Sequence, residues 1–234
     1  MSYIEASNLV KQYGSGDAAV FAVRDMSAAV EAGEFVAVMG ESGSGKSTLL
    51  SVMGALNTPT SGRLEVDGID VYALGPEQRA DFRREFLGFV FQSFHLIPYL
   101  TLSENVMLPL AVVPASRKKK REMAAEALAR VGLAGKGDRL PSQISGGEQE
   151  RVAIARAIVN EPAILLADEP TGNLDSKTSA AVMALLEKLN REGMTIVMVT
   201  HSPECARHAR RILRVADGVI VEEDRLVRPA EASA

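Results

Sequence analysis

Residues 40–48, Gly-Glu-Ser-Gly-Ser-Gly-Lys-Ser-Thr, constrain this chain more than any other stretch. They follow a strand-like apolar run, 35–39, and lead into a helix-like one, 49–56. Gly40, Gly45, Lys46 and Ser47 match the phosphate-loop pattern in full, and strand, glycine loop, helix is the context that pattern requires. Backbone N–H groups without a Cβ in the way close around phosphate oxygens, Lys46 reaches the β- and γ-phosphates, and Ser47 reaches a magnesium ion. The helix that starts there adds its unpaired N–H groups and the positive end of its dipole. The candidate phosphate contacts are therefore Gly40, Ser42, Gly43, Gly45, Lys46, Ser47 and Thr48.

A chain of 234 residues can hold one large domain, or a core with a smaller appended one. Its formal charge of −4 argues against a general affinity for nucleic acid, and no such partner is expected. A single cysteine, Cys205, excludes an intramolecular disulfide and fits a reducing compartment. Glu5, Asn8, Lys11 and Gln12 deny the N-terminal stretch the apolar core of a secretory signal. The most apolar long stretch, 96–113, is broken by Pro98, Glu104, Asn105 and Pro109, short of the ~18 uninterrupted apolar residues that mark a membrane span.

From 3 to 34 the apolar positions alternate in short pieces with turn residues at 14–17 and 32–33, a pattern that predicts short antiparallel strands. Tyr13 closes one of them upstream of the phosphate loop, as a half-buried strand residue or as a surface on which a base stacks. After the first helix, 57–62 is a stop and turn, 63–67 alternates as a strand, and Asp67-Gly68 turns the chain. The run 82–91 rises into an apolar strand, 87–91, ending on Gln92, where open α/β sheets place ligands. Between 93 and 143 prolines and cap-like residues at 101–104 predict a helical insertion, with a second helix at about 116–131. That helix opens with Arg117, Lys118, Lys119, Lys120 and Arg121. Such a run can meet nucleic acid or anionic lipid, but consecutive residues point all around a helix, while Met123, Ala127, Leu128 and Val131 supply an apolar face. A solvated helix start is the simpler reading.

Ser145 and Glu148 form a capping box at the start of a helix running to about Asn160. Gly146 and Gly147 occupy its first turn at a cost of about 1 kcal/mol each relative to alanine. A cap alone does not call for them; bare N–H groups facing a second phosphate contact do. The apolar strand 163–167 ends in Asp168-Glu169, which beside a phosphate loop fit a magnesium-holding aspartate and a water-activating glutamate. The β-branched strand 195–200 ends on His201, at the same sheet edge as Gln92, Asp168 and Glu169. Residues 212–215 and 219–222 flank Asp217-Gly218 as a hairpin, and a frayed tail is expected beyond Arg225.

As a set, these signals resemble the ATP-binding cassette ATPases, the nucleotide-binding subunits of ABC transporters, over nearly the whole chain. Residues 40–48 resemble the Walker A loop, 164–168 Walker B with Glu169 as catalytic glutamate, and Gln92 the Q-loop glutamine. Residues 145–147 are similar to the signature motif that sets this family apart from other phosphate-loop proteins. Asn173-Leu174-Asp175 resembles the D-loop, His201 the switch histidine, and Tyr13 the aromatic residue that stacks on adenine. Ile144 and Glu148 depart from the usual leucine and glutamine of the signature; the first swap is conservative, and the second completes the capping box. Gly88-Phe89-Val90-Phe91-Gln92, Asn105-Val106 with Leu108-Pro109-Leu110, and residues 167–175 are similar to the lipoprotein-release (Lol-type) and macrolide-efflux (Mac-type) branch.

The resemblance implies an α/β fold: a phosphate-loop NTPase of the ABC type, with a RecA-like core, a mainly parallel sheet, an N-terminal antiparallel β subdomain and a helical insertion. It implies one domain, with core segments 1–92 and 156–225, a helical subdomain 93–155 and a tail 226–234. ATP and Mg2+ are the implied cofactors. Glu169, His201, Gln92 and Lys46 are the implied catalytic set, and Ser47, Gln92 and Asp168 the metal ligands. In a head-to-tail homodimer, Ser145, Gly146, Gly147 and Glu148 of a second copy would cover the γ-phosphate, with Asp175 aligning the opposite site. The implied partner is a polytopic membrane subunit with a large periplasmic domain, the chain lying peripherally at the cytoplasmic face of the inner membrane. ATP hydrolysis would then power export, lipoprotein extraction or mechanotransmission. The readings left beside it are gating of a cell-division peptidoglycan-hydrolase regulator and a soluble non-transport ATPase.

Overall fold

The computed structural model describes residues 2–226. The chain opens with β1 (Ser2–Tyr13), β2 (Val20–Glu31), β3 (Phe35–Met39), α1 (Lys46–Met53), β4 (Ser61–Val66) and β5 (Ile69–Asp70). It continues through α2 (Pro76–Phe86), β6 (Leu87–Val90), α3 (Leu102–Met107), α4 (Arg117–Arg130) and α5 (Gly146–Ile158). It ends with β7 (Ile164–Asp168), α6 (Ser176–Arg191), β8 (Thr195–Thr200), the short α7 (Pro203–Ala206), β9 (Arg211–Ala216) and β10 (Val219–Arg225). Of the tail expected from 226 onward, all but Leu226 lies outside the described residues.

Two sheets organise these elements. A four-stranded sheet, β2-β1-β4-β5, is antiparallel throughout. A six-stranded sheet, β10-β9-β3-β8-β7-β6, is parallel except at the β9/β10 hairpin. Side chains alternate across a strand, so each parallel strand feeds two cores. Phe35, Ala37, Leu165, Ala167, Ile196 and Met198 face a cluster shared with α3, α4, α5 and α6. Val36, Val38, Ile164, Leu166, Val197 and Val199 face a second cluster with α1 and the antiparallel sheet. The parallel register sets Met39 opposite Thr200 and Asp168 opposite Val199, so the residues after β3, β7 and β8 emerge at one edge.

The sequence expectation of short strands at 3–34 is corrected: β1 and β2 are each 12 residues long and pair along most of their length. Asn8 and Asp25 adopt positive φ, 51° and 52°, at irregularities in that pairing, and Asn8 Nδ2 donates to Asp25 Oδ1 at 2.8 Å. Bulges of this kind reset the period-two pattern. A second correction concerns 82–86, read as the rise of a strand; it is the last part of α2, and the strand begins at Leu87.

Candidate active site

Each strand-end loop at the parallel edge delivers one part of the site. The loop between β3 and α1 closes on α1, with Gly45 at φ 99° as its N-cap residue. Two of its glycines are dictated by neighbouring backbone. A Cβ on Gly40 would stand 2.1 Å from the Val215 carbonyl oxygen, and one on Gly45 would stand 1.9 Å from that of Ala22. Gly43 differs: its φ is +81° and the space beside it is open. Lys46 is buried, and its Nζ donates to the Glu41 carbonyl at 2.6 Å, across the loop it belongs to. Gly218 N donates to the Ser44 carbonyl at 3.1 Å, fastening the β9/β10 turn to the loop from outside.

Ser47 Oγ donates to Asp168 Oδ1 at 3.0 Å, so the α1 hydroxyl and the β7 carboxylate converge. Burial raises the Asp168 pKa, the Ser47 hydrogen bond opposes that shift, and the neighbouring Glu169 charge adds to it. Glu169 itself has φ 46°, a left-handed conformation that costs a non-glycine residue roughly 1–2 kcal/mol. It is held there by its N–H to the Val199 carbonyl, 3.0 Å, and by Gly172 N to its own carbonyl, 3.0 Å. His201 Nδ1 lies 2.7 Å from Glu169 Oε2, joining the ends of β7 and β8. A Cβ on Gly172 would be 3.3 Å from both Gln92 Nε2 and Glu169 Oε2, and Asn173 Nδ2 donates to the Gln92 carbonyl at 2.8 Å.

These parts enclose one open cavity of about 1020 Å³, whose walls include Gly40, Ser42, Gly43, Gln92, Glu169 and His201. Gln92, Glu169 and His201 are thus brought together, whereas Gly45, Lys46, Ser47, Thr48 and Asp168 are not among its walls, Asp168 being held on Ser47. Arg214 to Asp217, which line the same cavity, escaped the sequence reading: they belong to an ordinary hairpin, and its contacts with Gly40 and Ser44 give it a place here.

Tyr13, Asp175 and the residues at the start of α5 do not line this cavity. The Tyr13 side chain is partly exposed at the end of β1, its hydroxyl accepting from Asn57 Nδ2 at 2.5 Å. Asp175 caps α6, accepting from Thr178 N at 3.0 Å. Ser145 and Glu148 form the expected capping box, with Ser145 N to Glu148 Oε2 at 2.9 Å and Glu148 N to Ser145 Oγ at 3.3 Å. The ion pair with Lys136, helped by the Ser145 amide, holds the Glu148 carboxyl down at about 2. Gly147 has a reason that the sequence did not disclose: a Cβ there would stand 2.1 Å from Thr178 Cγ2, so α5 and α6 pack through it. Beside Gly146 there is only ordinary contact with Leu174 and Phe94.

A phosphate loop at the edge of a mostly parallel sheet, with a glutamate and histidine pair lining one cavity and a hydroxyl and carboxylate pair at the ends of α1 and β7, defines a phosphate-loop NTPase. The family model described as ABC transporter matches residues 23–172, and the chain belongs to that family, as an ATPase cassette. It is 50% identical over 226 residues to the macrolide export ATP-binding/permease protein MacB of Syntrophobacter fumaroxidans, covering 95% of this chain and 32% of that protein. The chain thus spans about a third of the length of this relative. It is 48% identical to an uncharacterized ABC transporter ATP-binding protein of Methanocaldococcus jannaschii, over 94% of this chain and 98% of the relative. Among solved structures, the ATP-binding cassette MJ0796, described as a dimer in a post-hydrolysis state bound to ADP and Pi, superposes with a TM-score of 0.88 at 43% identity. That match covers 96% of this chain and 99% of the other. The Mac/Lol-type branch inferred from residues 88–92, 105–110 and 167–175 is supported by these relatives.

Proposed function

We propose that this chain is the ATP-hydrolysing subunit of a membrane transporter, acting as a head-to-tail homodimer on a separate polytopic membrane subunit. The observation that carries this reading is the single cavity that gathers Gly40, Gly43, Gln92, Glu169 and His201 at one sheet edge. Gly43 leaves open space where phosphate oxygens would approach, and α1 directs its first N–H groups there. The donor set suits Mg2+: Ser47 and Asp168 offer hard oxygens with one carboxylate, and Mg2+ bound with nucleotide takes few protein ligands besides the phosphates. Gln92 would complete the set. Bound there, Mg2+ would neutralise charge on the β- and γ-phosphates.

Lys46 would exchange the Glu41 carbonyl for a phosphate oxygen, a stronger, charge-assisted partner. Glu169, fixed by its backbone bonds, would orient and polarise the attacking water. His201, now on Glu169 Oε2, would contact the γ-phosphate. Ser145, Gly146, Gly147 and Glu148 of the facing copy would cover that phosphate, with Asp175 beside them. Hydrolysis removes the group both copies share, and the dimer opens.

Among the described residues no helix is long and apolar enough to cross a membrane. A groove of about 550 Å³ between α2, β6 and residues 108–112 has an apolar lining that includes Leu87, Phe89, Phe91 and Val112, with Arg83 and Arg84 at its rim. We assign it, with the neighbouring segment 94–99, as the seat of the membrane subunit; the chain would then lie peripherally at the cytoplasmic face of the inner membrane. Residues 93–155 would serve as the helical subdomain that carries the motion. Export, lipoprotein extraction and mechanotransmission all use this same machinery.

The test is Glu169→Gln. The variant is expected to bind ATP within a few-fold of wild type, to release phosphate at least about 100-fold more slowly, and to elute as a dimer only with ATP present. Turnover near the wild-type rate would overturn the role of Glu169, and a monomer at saturating ATP would overturn the dimer.

A further inference from the structure

We infer that Asn57, in the turn after α1, is a positioning residue for base recognition: its side-chain amide fixes the ring of Tyr13 through the phenolic oxygen. The inference rests on the reading of Tyr13 as the adenine platform and adds what sets that platform in place.

Tyr13 is the last residue of β1, and a ring on a strand end has a free torsion about its Cα–Cβ bond unless something holds its far end. Asn57 Nδ2 donates to the hydroxyl at 2.5 Å. Asn57 is itself fixed: its N–H donates to the Ser51 carbonyl at 3.2 Å, and its carbonyl accepts from the Tyr72 hydroxyl at 2.9 Å. The same Tyr72 hydroxyl lies 2.5 Å from the Val52 carbonyl, so the two carbonyls share its one proton, and burial raises its pKa, which keeps that proton in place. The turn grips the strand end at three more points. Lys11 Nζ donates to the Thr58 carbonyl at 2.8 Å, Gln12 N to Thr60 Oγ1 at 2.9 Å, and Thr60 N to the Val10 carbonyl at 2.7 Å.

The consequence is geometric. α1 begins at Lys46 in the phosphate loop and runs directly into this turn, so one rigid element joins the phosphate end of a nucleotide site to the residue holding Tyr13. Lys11 Nζ stands 5.1 Å from the Tyr13 ring centroid and occupies one face, in cation–π geometry. One face is left, at an angle set by Asn57, for a flat aromatic base. Asn57 therefore fixes the span between base and phosphates without touching the nucleotide.

The experiment compares the affinities of the full chain for ATP and for tripolyphosphate, which probes the phosphate half alone. Asn57→Ala and Tyr13→Phe are each expected to weaken ATP binding about 2- to 10-fold, the worth of one hydrogen bond. Tripolyphosphate affinity should stay unchanged, and the double variant should be no worse than either single one. Asn57→Asp, which can accept from the Tyr13 hydroxyl, is expected to restore ATP affinity. Tyr13→Ala separates the inference from its premise. If it weakens ATP binding while Asn57→Ala and Tyr13→Phe do not, the platform stands and the inference falls. If Tyr13→Ala also binds ATP as wild type does, the platform reading fails and the inference with it. Equal loss of ATP and tripolyphosphate affinity in Asn57→Ala would mark a merely structural role and overturn the inference.

Discussion

Glu150 is the residue whose chemistry stands furthest from its surroundings. It is 1% exposed on α5, one of its carboxyl oxygens has no hydrogen-bond partner, and burial raises its pKa to about 8 against the attraction of Arg156. The folded chain thus keeps a proton that the unfolded chain gives up near the ordinary value of 4.5. A group raised in this way contributes stability that is complete below the unfolded value and is lost as pH climbs through the folded one. Glu150→Gln stays neutral throughout, so its melting temperature is expected to gain on wild type as pH rises from 5 to 8.5. The difference in stability should widen by at most about 1.4 kcal/mol per pH unit. Melting scans across that range check it, and parallel curves would show that the carboxyl has another partner. None of this was legible in the sequence, where Glu150 reads as one polar residue in a well-capped helix. The phosphate-loop residues were legible because their spacing is a local property of the chain. The reason for Gly40 and Gly45 was not, since Val215 and Ala22 meet them only through the fold.

At the scale of elements, the contact between α5 and α6 gives the Gly147 position a packing reason that sits beside its proposed phosphate role. Gly147→Ala would press its Cβ against Thr178 Cγ2, and such overpacking costs about 1–3 kcal/mol. The melting temperature is expected to fall by several degrees, about 2–4 °C per kcal/mol at this chain size. Thr178→Ser removes the offending methyl and keeps the hydroxyl that meets Asp175, so the double variant should recover most of the loss. A calorimetric scan of the four chains checks this, and a double variant as unstable as Gly147→Ala would place the strain elsewhere. Elements with a clean period were read closely: β8 at 195–200, α4 with Ala127, Leu128 and Val131 buried, and the β9/β10 hairpin about Asp217-Gly218, whose second strand runs three residues beyond the reading. α2 was missed because a single buried residue, Phe82, gives it no apolar stripe. β1 and β2 were read as fragments because positive φ at Asn8 and Asp25 interrupts the alternation.

At the scale of the whole molecule, the two parts of the proposed site are built on different parts of the chain, and residues 145–148 do not line the cavity. The phosphate loop, Asp168, Glu169 and His201 hang from the parallel sheet, whereas Ser145 to Glu148 open α5, whose buried face packs into the helical cluster on one side of that sheet. α5 runs without a break across position 156, the core boundary we propose, so a push on its N-terminus reaches the sheet as a rigid-body displacement rather than through a hinge. In the dimer we propose, the open cavity of one chain would meet the glycine-rich helix start of the other, in a closed two-fold arrangement. Complementation tests this directly. Lys46→Ala disables the phosphate loop, and Ser145→Arg fills the covering surface at the cost of a cap, about 1 kcal/mol. Each alone is expected to be inactive. When the two are mixed, random pairing makes about half of the dimers mixed, and each of these holds one intact site of two. Phosphate release should therefore return to about a quarter of the wild-type rate. A mixture no faster than its components, or a Ser145→Arg chain as active as wild type, would mean that one copy completes its own site. Recovery near a quarter would require that the second copy supplies what the first lacks, which is the physical sense in which ATP holds the two together.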